Sequence, residues 1–310
     1  MPRLTVWILT DGKIGDLVQC RGIAAQLDAA EVVERVVRPE GMWSLPLPFL
    51  PVPPADRPAR AASPITPPFP DLVLASGRRT VPYLAAIRRS SREPLLVFLK
   101  DPRWWGRRVV DLMWAPIHDG VNADGAKVIA THTSPHLLTA ERLAAARIDP
   151  PFPAAKGSST GIILGGDSGT VRWTAETAAA FAKLLASAVT DRALITTSRR
   201  TPAVLRDEVA AALPKAWQDP DGSAYPAILA LADRLVVTGD SHNMVSEALA
   251  TGAPVHVFRP PGLQSKLERF LDAMEASGAI APLAAPMQDS AGQRIDATQD
   301  IATAIRKRLP

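Results

Sequence analysis

Short apolar runs alternate with helix-like segments along the whole chain. The runs at residues 4–9, 95–99 and 235–238 have the length and the β-branched content of buried strands. Segments with helical character, such as residues 16–27 and 175–188, follow strand-like runs after short loops that contain glycine. This order of strand, loop and helix is typical of a parallel sheet covered by helices. The pattern therefore predicts an α/β fold.

The same pattern occurs twice, once in each half of the chain. A proline-rich segment at residues 149–153 separates the halves, and a chain of 310 residues is long enough for two domains of ordinary size. We expect an N-terminal domain at residues 1–150, a second domain at residues 157–290 and a C-terminal helix at residues 298–310. Each domain is predicted to contain its own sheet and its own core.

A proline-dense insert at residues 44–70 interrupts the first domain. Prolines lack an N–H donor and fix φ, so the insert is predicted to be a loop. The insert and its border carry apolar side chains followed by two arginines, namely Trp43, Leu45, Leu47, Phe49, Leu50, Arg57 and Arg60. Residues 103–108 add two tryptophans among three arginines. Both clusters have the composition of membrane-interface segments, and packing of the tryptophans into the domain core is the alternative interpretation.

Composition and charge restrict the class of protein. Hydrophobic residues make up 47% of the chain and charged residues 21%, which is the composition of a globular protein. The net charge of +4 lies entirely in residues 1–150, which hold 19 Lys and Arg against 15 Asp and Glu. Because no basic stripe is interleaved with aromatic residues, nucleic-acid binding is not predicted. An anionic membrane surface is a candidate partner of the first domain.

Export, membrane insertion and metal binding are not expected from the sequence. No apolar run approaches the roughly 20 residues of a membrane-spanning helix, and residues 1–7 lack the features of a signal peptide. Cys20 is the single cysteine, and His132, His136 and His256 do not have the spacing of metal ligands. We therefore expect a cytoplasmic protein without a metal site, with peripheral contact at the inner face of the membrane as a further hypothesis.

Glycines and small polar residues follow the predicted strands of the second domain. The carboxyl ends of parallel strands meet at one edge of a sheet, where helix N-termini offer N–H groups to phosphate. A carboxylate in the first turns of such a helix, here Glu247, can accept hydrogen bonds from both hydroxyls of a ribose. The candidates for this nucleotide site are Gly165, Gly166, Asp167, Ser168, Ser198, Arg199, Asp240, Ser241, Met244, Ser246 and Glu247.

These residues also have an interpretation that involves no ligand. The glycines then serve a tight turn, Asp240 or Ser241 caps a helix, and Glu247 is solvated. A second glycine loop follows the first predicted strand and has the same two interpretations. Its residues are Asp11, Gly12, Lys13 and Gly15. Neither loop matches the glycine fingerprint of dinucleotide-binding folds, so no dinucleotide cofactor is predicted.

Seven sequence blocks in one order resemble the mitochondrial-fission Elm-like family. The blocks lie at residues 10–15 with Gln19, 76–79, 100–103, 115–120, 165–168, 196–202 and 240–255. The last block also resembles the nucleotide-binding segment of GT-B glycosyltransferases such as the lipid-linked N-acetylglucosaminyl transferase of peptidoglycan synthesis, in which an equivalent glutamate binds the donor ribose. The resemblance implies a GT-B-like α/β fold, with two Rossmann-like domains whose parallel sheets face a central cleft. It also implies that the C-terminal helix returns to the first domain.

The resemblance implies an activity as well as a fold. The expected protein is a metal-independent glycosyltransferase that uses a nucleotide-sugar as substrate and needs no cofactor. Its acceptor is unknown and is expected to be lipid-linked or part of the cell envelope. A nucleoside-diphosphate-sugar epimerase on the same fold is the first alternative, and a non-catalytic nucleotide-binding or scaffold protein is the second.

Sugar transfer to a hydroxyl needs a base, and several candidates follow strands of the first domain. They are Asp16, Asp101, His118 and Asp119. In the interpretation without catalysis, Asp101 and Asp119 hold turns and His118 packs or caps. The chain also departs from the family pattern, which often has histidine after Gly15 where this chain has Asp16, and which differs at residues 222–225.

Overall fold

The fold is taken from a computed structural model that describes residues 4–44, 50–121, 127–154, 156–288 and 291–309. The chain divides into two compact units. Unit 1 comprises Met1–Leu137 and Ala297–Pro310, and unit 2 comprises Leu138–Asp296. In the part of the chain that the structure describes, each unit contains one six-stranded sheet in which all neighbouring strands are parallel.

The strands, in chain order, are β1 (Thr5–Thr10), β2 (Glu31–Val36), β3 (Leu72–Ser76), β4 (Leu95–Leu99), β5 (Leu112–Pro116), β6 (Val128–Thr131), β7 (Ser159–Leu164), β8 (Arg192–Thr197), β9 (Trp217–Gln218), β10 (Arg234–Thr238), β11 (Val255–Phe258) and β12 (Ala281–Pro282). The α-helices are α1 (Ile14–Gln26), α2 (Val81–Ser90), α3 (Arg103–Gly106), α4 (Ala140–Ile148), α5 (Ala175–Ala188), α6 (Ala203–Ala212), α7 (Tyr225–Leu231), α8 (His242–Leu249), α9 (Ser265–Ala276) and α10 (Ala297–Arg306).

The sheet of unit 1 has the strand order β2-β1-β3-β4-β5-β6. Its inner strands read as continuous apolar runs because both of their faces are buried. Alternate residues enter different cores. Leu74 and Trp114 pack in the cluster that contains residues of α1 and α10, whereas Phe98 and Met113 pack in the cluster that contains residues of α2.

Helix α10 completes the first of these cores although it comes from the end of the chain. Its apolar side chains Ile301 and Ile305 are fully buried. The amide of His136 donates to Thr298 Oγ1 at 2.9 Å, which ties the end of the first segment of unit 1 to the start of α10. A Cβ on Gly22 of α1 would lie 2.0 Å from the carbonyl oxygen of His136, so only glycine permits this approach.

The sheet of unit 2 has the strand order β12-β11-β10-β7-β8-β9. Helix α8 connects β10 to β11 and contributes Val245 and Leu249 to one core cluster. Helix α5 follows β7 and contributes Phe181 and Leu185 to another. Because β10 pairs with β7, and β7 pairs with β8, the loops after these three strands meet at the carboxyl edge of the sheet.

The two sheets confirm the α/β fold that the alternation predicts, and the structure differs from the expectation in detail. The division of the units falls after Leu137 and not near residue 150, because α4 packs against α7 of unit 2. The two-residue strands β9 and β12 are too short to produce an apolar run of their own. A single 3₁₀ turn forms at Gly41–Ser44, at the start of the proline insert, and another forms at Pro54–Asp56 within it. Leu45, Leu47 and Phe49, which belong to the proposed membrane cluster, lie outside the described residues.

None of the helices within the described ranges is both long enough and apolar enough to cross a bilayer.

The packing of α10 predicts the effect of shortening one of its side chains. Ile305→Ala leaves a cavity in the core of unit 1, so we expect a loss of about 2–5 kcal/mol in the free energy of unfolding. Urea titration measures this loss. The control is Thr303→Ala on the exposed side of the same helix, which should change the free energy little. Equal stability of the two variants would contradict the packing of α10 in this core.

Candidate functional site

Three loops at the carboxyl edge of the unit 2 sheet are joined by the carboxylate of Asp240. This side chain follows β10 and is almost fully buried. Asp240 accepts hydrogen bonds from the amide of Gly166 at 2.9 Å and from Thr238 Oγ1 at 2.7 Å. The guanidinium of Arg200, in the loop after β8, lies 3.5 Å from Asp240 Oδ2. The loops after β7, β8 and β10 are therefore held together by one acidic group.

Burial raises the pKa of Asp240, and the hydrogen bonds from Gly166 and Thr238 together with Arg200 counteract part of this increase. A buried carboxylate without such partners would be strongly unfavourable. Asp240 joins groups from the loops after β7, β8 and β10, so its geometry is that of a positioning residue.

The two glycines after β7 are required by close packing. A Cβ on Gly165 would lie 2.1 Å from Asp240 Oδ1, and a Cβ on Gly166 would lie 2.0 Å from the carbonyl oxygen of Arg200. Asp167 and Ser168 continue the loop outward. Asp167 Oδ1 accepts from the amide of Trp173 at 3.0 Å, and Ser168 forms a bridge with Val171. The glycines thus explain how the loops meet, while the exposed part of the loop begins at Asp167.

A pocket of about 590 Å³ opens at the same edge of the sheet. Its lining includes Ile163 of β7, Ser198 and Arg199 of the loop after β8, and Met244 and Glu247 of α8. The pocket is also lined by residues that were not among the predicted site residues, namely Thr196, Thr197, Asp221, Gly222 and Tyr225. The pocket combines an apolar wall, one cationic side chain, Arg199, and two carboxylates, Asp221 and Glu247.

Glu247 is half-buried in this pocket and is held by Tyr225. The hydroxyl of Tyr225 donates to Glu247 Oε2 at 2.5 Å. Burial raises the pKa of Glu247, and the hydrogen bond from Tyr225 and the charge of Arg142 act in the opposite direction. Burial also raises the pKa of Tyr225, with a further increase from the neighbouring carboxylate. Tyr225 thus holds one oxygen of a carboxylate that lines the pocket.

The predicted site residues of unit 2 fall into two groups. Ser198, Arg199, Met244 and Glu247 line the pocket together. The others support or border it: Gly165, Gly166 and Asp240 join the loops, Asp167 and Ser168 follow them, Ser241 caps α8, and Ser246 donates to the carbonyl of His242 inside α8. Tyr225 could have been found in the sequence, since it begins a helix directly after the small residues 222–224.

The N-terminal glycine loop lies at the carboxyl edge of the unit 1 sheet. Thr10 and Ser76 are paired residues at the ends of β1 and β3, so Asp11 and Gly77 follow side by side. A Cβ on Gly77 would lie 2.5 Å from Asp11 Cγ, and Gly77 has a φ of 89°. Lys13 Nζ lies 3.8 Å from Asp11 Oδ2 and forms an ion pair with it. Gly12 is exposed in the loop, and Gly15 is exposed in the first turn of α1. Two of the blocks that carry the family resemblance are thus in direct contact.

The four candidate bases all follow strands of unit 1 at this edge. Asp16 is buried in the first turn of α1 and accepts from Lys100 Nζ at 2.6 Å. Lys100 follows β4 and has a φ of 78°, an unusual conformation for a residue with a side chain. His118 and Asp119 follow β5, and His118 Nε2 lies 4.0 Å from Asp119 Oδ1.

Asp101 has a different environment from the other three. Both of its carboxylate oxygens accept from Arg107 at 2.9 Å, and its Oδ1 also accepts from the amide of Arg103. Desolvation acts to raise the pKa of Asp101, but these hydrogen bonds outweigh it and hold the pKa below its ordinary value. A carboxylate with a lowered pKa is a weaker base, so its contacts fit a role in holding the loop before α3.

Among the described residues, no three His, Cys, Asp or Glu side chains converge in a group that could hold a metal ion.

Two Rossmann-like α/β units, each with loops gathered at the carboxyl edge of a parallel sheet, define a protein of the GT-B class. Solved structures support this fold. The glycotransferase of kitacinnamycin is 12% identical, covers 100% of both chains and has a TM-score of 0.52. MurG of Acinetobacter baumannii is 14% identical in sequence, with a TM-score of 0.51. The match covers 99% of this chain and 91% of the MurG chain.

The chain belongs to the mitochondrial fission ELM1 family, whose model matches residues 15–309. The uncharacterized protein RP120 of Rickettsia prowazekii (strain Madrid E) is 23% identical over 304 residues, covering 84% of this chain and 85% of that protein.

The burial of Glu247 predicts a stability that depends on pH. A carboxyl group whose pKa is raised by folding contributes stability that is complete below the pKa of the unfolded chain and is lost as pH rises through the folded pKa. Near neutral pH the ionised group is therefore unfavourable, and Glu247→Gln should raise the melting temperature of the unliganded protein. The gain should shrink as pH falls into the carboxyl range.

Thermal unfolding from neutral to acid pH measures this effect, with Glu208→Gln on α6 as the control. A lower melting temperature for Glu247→Gln at neutral pH would contradict the account, because it would mean that the ionised carboxylate stabilises the fold.

Proposed function

We propose that the protein is a glycosyltransferase that binds a nucleoside-diphosphate sugar in the unit 2 pocket. The observation that carries the proposal is Glu247, a carboxylate fixed by Tyr225 in a pocket at the carboxyl edge of a parallel sheet. Ligands of α/β proteins bind at such edges. The GT-B fold of the chain is consistent with this activity.

Each side of the pocket suits one part of the ligand. The carboxylate of Glu247 accepts hydrogen bonds from the ribose hydroxyls, and the guanidinium of Arg199 faces the diphosphate. Ser198 adds a hydroxyl beside Arg199, and Ile163 and Met244 provide the apolar wall. Gly165, Gly166, Asp167, Ser168, Asp240, Ser241 and Ser246 position these groups or border the site.

The proposed reaction is displacement at the anomeric carbon of the sugar. An acceptor hydroxyl forms the new C–O bond while the bond from that carbon to the diphosphate breaks, and a base takes the hydroxyl proton. Positive charge from Arg199 stabilises the leaving diphosphate without a metal. Asp16, His118 and Asp119 of unit 1 are the proposed sources of the base, and Asp101 is set aside because the hydrogen bonds from Arg107 and Arg103 lower its pKa.

The proposal is tested first by nucleotide binding. A thermal-shift screen with UDP, GDP, CMP and TDP compounds should find one that raises the melting temperature, and calorimetry then measures its affinity. Arg199→Ala removes a charge-assisted hydrogen bond, so affinity should fall by about tenfold to a hundredfold. Arg206→Ala, on the exposed surface of α6, is the matched control. If the parent binds a nucleotide and Arg199→Ala binds it equally well, the placement of the diphosphate is wrong.

Product analysis separates transfer from its alternatives. Release of nucleoside diphosphate that depends on an added lipid-linked acceptor supports a glycosyltransferase. A changed sugar configuration with the nucleotide still attached would identify an epimerase instead. Tight binding with neither product would identify a nucleotide-binding scaffold.

A further inference from the structure

A basic groove of about 710 Å³ lies at the amino edge of the unit 1 sheet, at the edge opposite to Asp16. It is formed where the chain enters β4, β5 and β6, and its cations are Arg88, Arg89, Arg92, Arg108 and Lys127. Asp111 is the acidic residue among its lining residues. The cations come from three separate segments of the chain, so the sequence shows no basic run at this place.

Only part of this positive charge is neutralised. Asp111 pairs with Arg88 and also accepts from the amide of Leu96 at 2.8 Å. Lys127 Nζ donates to the carbonyl oxygen of Val110, which satisfies a donor without removing the charge. Arg89 and Arg92 are exposed, and no carboxylate within the described ranges pairs with either of them. The groove therefore presents several uncompensated cations to solvent.

An exposed indole borders the groove through Arg108. The guanidinium of Arg108 lies 5.7 Å from the ring centroid of Trp104, and 69% of the surface of Trp104 is exposed. Trp105 lies edge-on to Trp104 with 5.5 Å between the ring centroids. Trp104 is thus not part of the unit 1 core, which was the alternative interpretation of the 103–108 cluster. A large exposed indole in contact with Arg108, at the border of a basic groove, suits the boundary between lipid headgroups and acyl chains.

We infer that this groove binds the phosphate groups of an anionic lipid surface, with Trp104 inserted at the headgroup level. Arginine forks match phosphate oxygens, and each basic residue near an anionic bilayer strengthens the attraction. A soluble phosphate ligand would use the cations but would leave the indole exposed. The inference is independent of nucleotide binding by unit 2, so either proposal can fail without the other.

Sedimentation with lipid vesicles tests the inference on the full chain. The parent should pellet with vesicles of phosphatidylcholine and phosphatidylglycerol at low salt, should bind less at high salt, and should stay in solution with phosphatidylcholine alone. The double variant Arg89→Ala and Arg92→Ala should bind acidic vesicles about 30-fold more weakly. Trp104→Ser should also weaken binding. The double variant Lys183→Ala and Lys215→Ala removes two exposed charges from unit 2 and should retain parental binding.

Circular dichroism and melting temperature confirm that each variant is folded. Failure of the parent to pellet with acidic vesicles at low salt would overturn the inference. So would an equal loss in the unit 2 control, because net charge alone would then explain binding. Binding of inorganic phosphate or of a single-stranded oligonucleotide in the groove, without vesicle binding, would assign it to a soluble anion or to nucleic acid.

Discussion

The buried carboxylate of Asp240 is the contact on which the unit 2 site depends. It holds the amide of Gly166, the hydroxyl of Thr238 and the guanidinium of Arg200 at one point of the sheet edge. Burying a carboxylate is expensive, and these partners offset the cost only while all three loops keep their places. The constraint acts on the backbone as well, since the approach of Asp240 leaves no space for a Cβ at Gly165. The loops that border the pocket are therefore fixed before any ligand arrives.

Glu247 shows the opposite balance between stability and function. Burial raises its pKa although the hydrogen bond from Tyr225 acts in the opposite direction, so the ionised form is unfavourable to the unliganded fold. Such a cost is expected where a side chain is kept for binding, because stability alone would favour a neutral group. In the proposed complex, ribose hydroxyls donate hydrogen bonds to this carboxylate. Asp240 and Glu247 are seven residues apart in the sequence and serve different ends, one holding loops and the other facing the pocket.

The sequence was sufficient to predict the sheets but not the contacts between loops. Apolar runs followed by glycine loops and helices specify a parallel sheet, because strand and helix periodicities are local properties. The sequence also indicated Gly165 and Gly166 as loop residues, but it did not show which groups they contact. Gly166 meets a carboxylate 74 residues away. Tyr225 and Glu247 are also separated in the sequence but hydrogen-bonded in the structure. The groove cations likewise come from separate segments between Arg88 and Lys127 and meet only in the fold. The prediction that α10 joins unit 1 came from the family resemblance, because an amphipathic helix does not by itself specify which core it covers.

A crystal structure with a bound nucleoside diphosphate tests most directly whether the unit 2 pocket is the nucleotide site. We expect density in the pocket beside Tyr225, with the ribose hydroxyls within hydrogen-bond distance of Glu247 and the diphosphate next to Arg199. Density at the Gly12 loop of unit 1, or a nucleotide in unit 2 whose ribose is out of reach of Glu247, would contradict it.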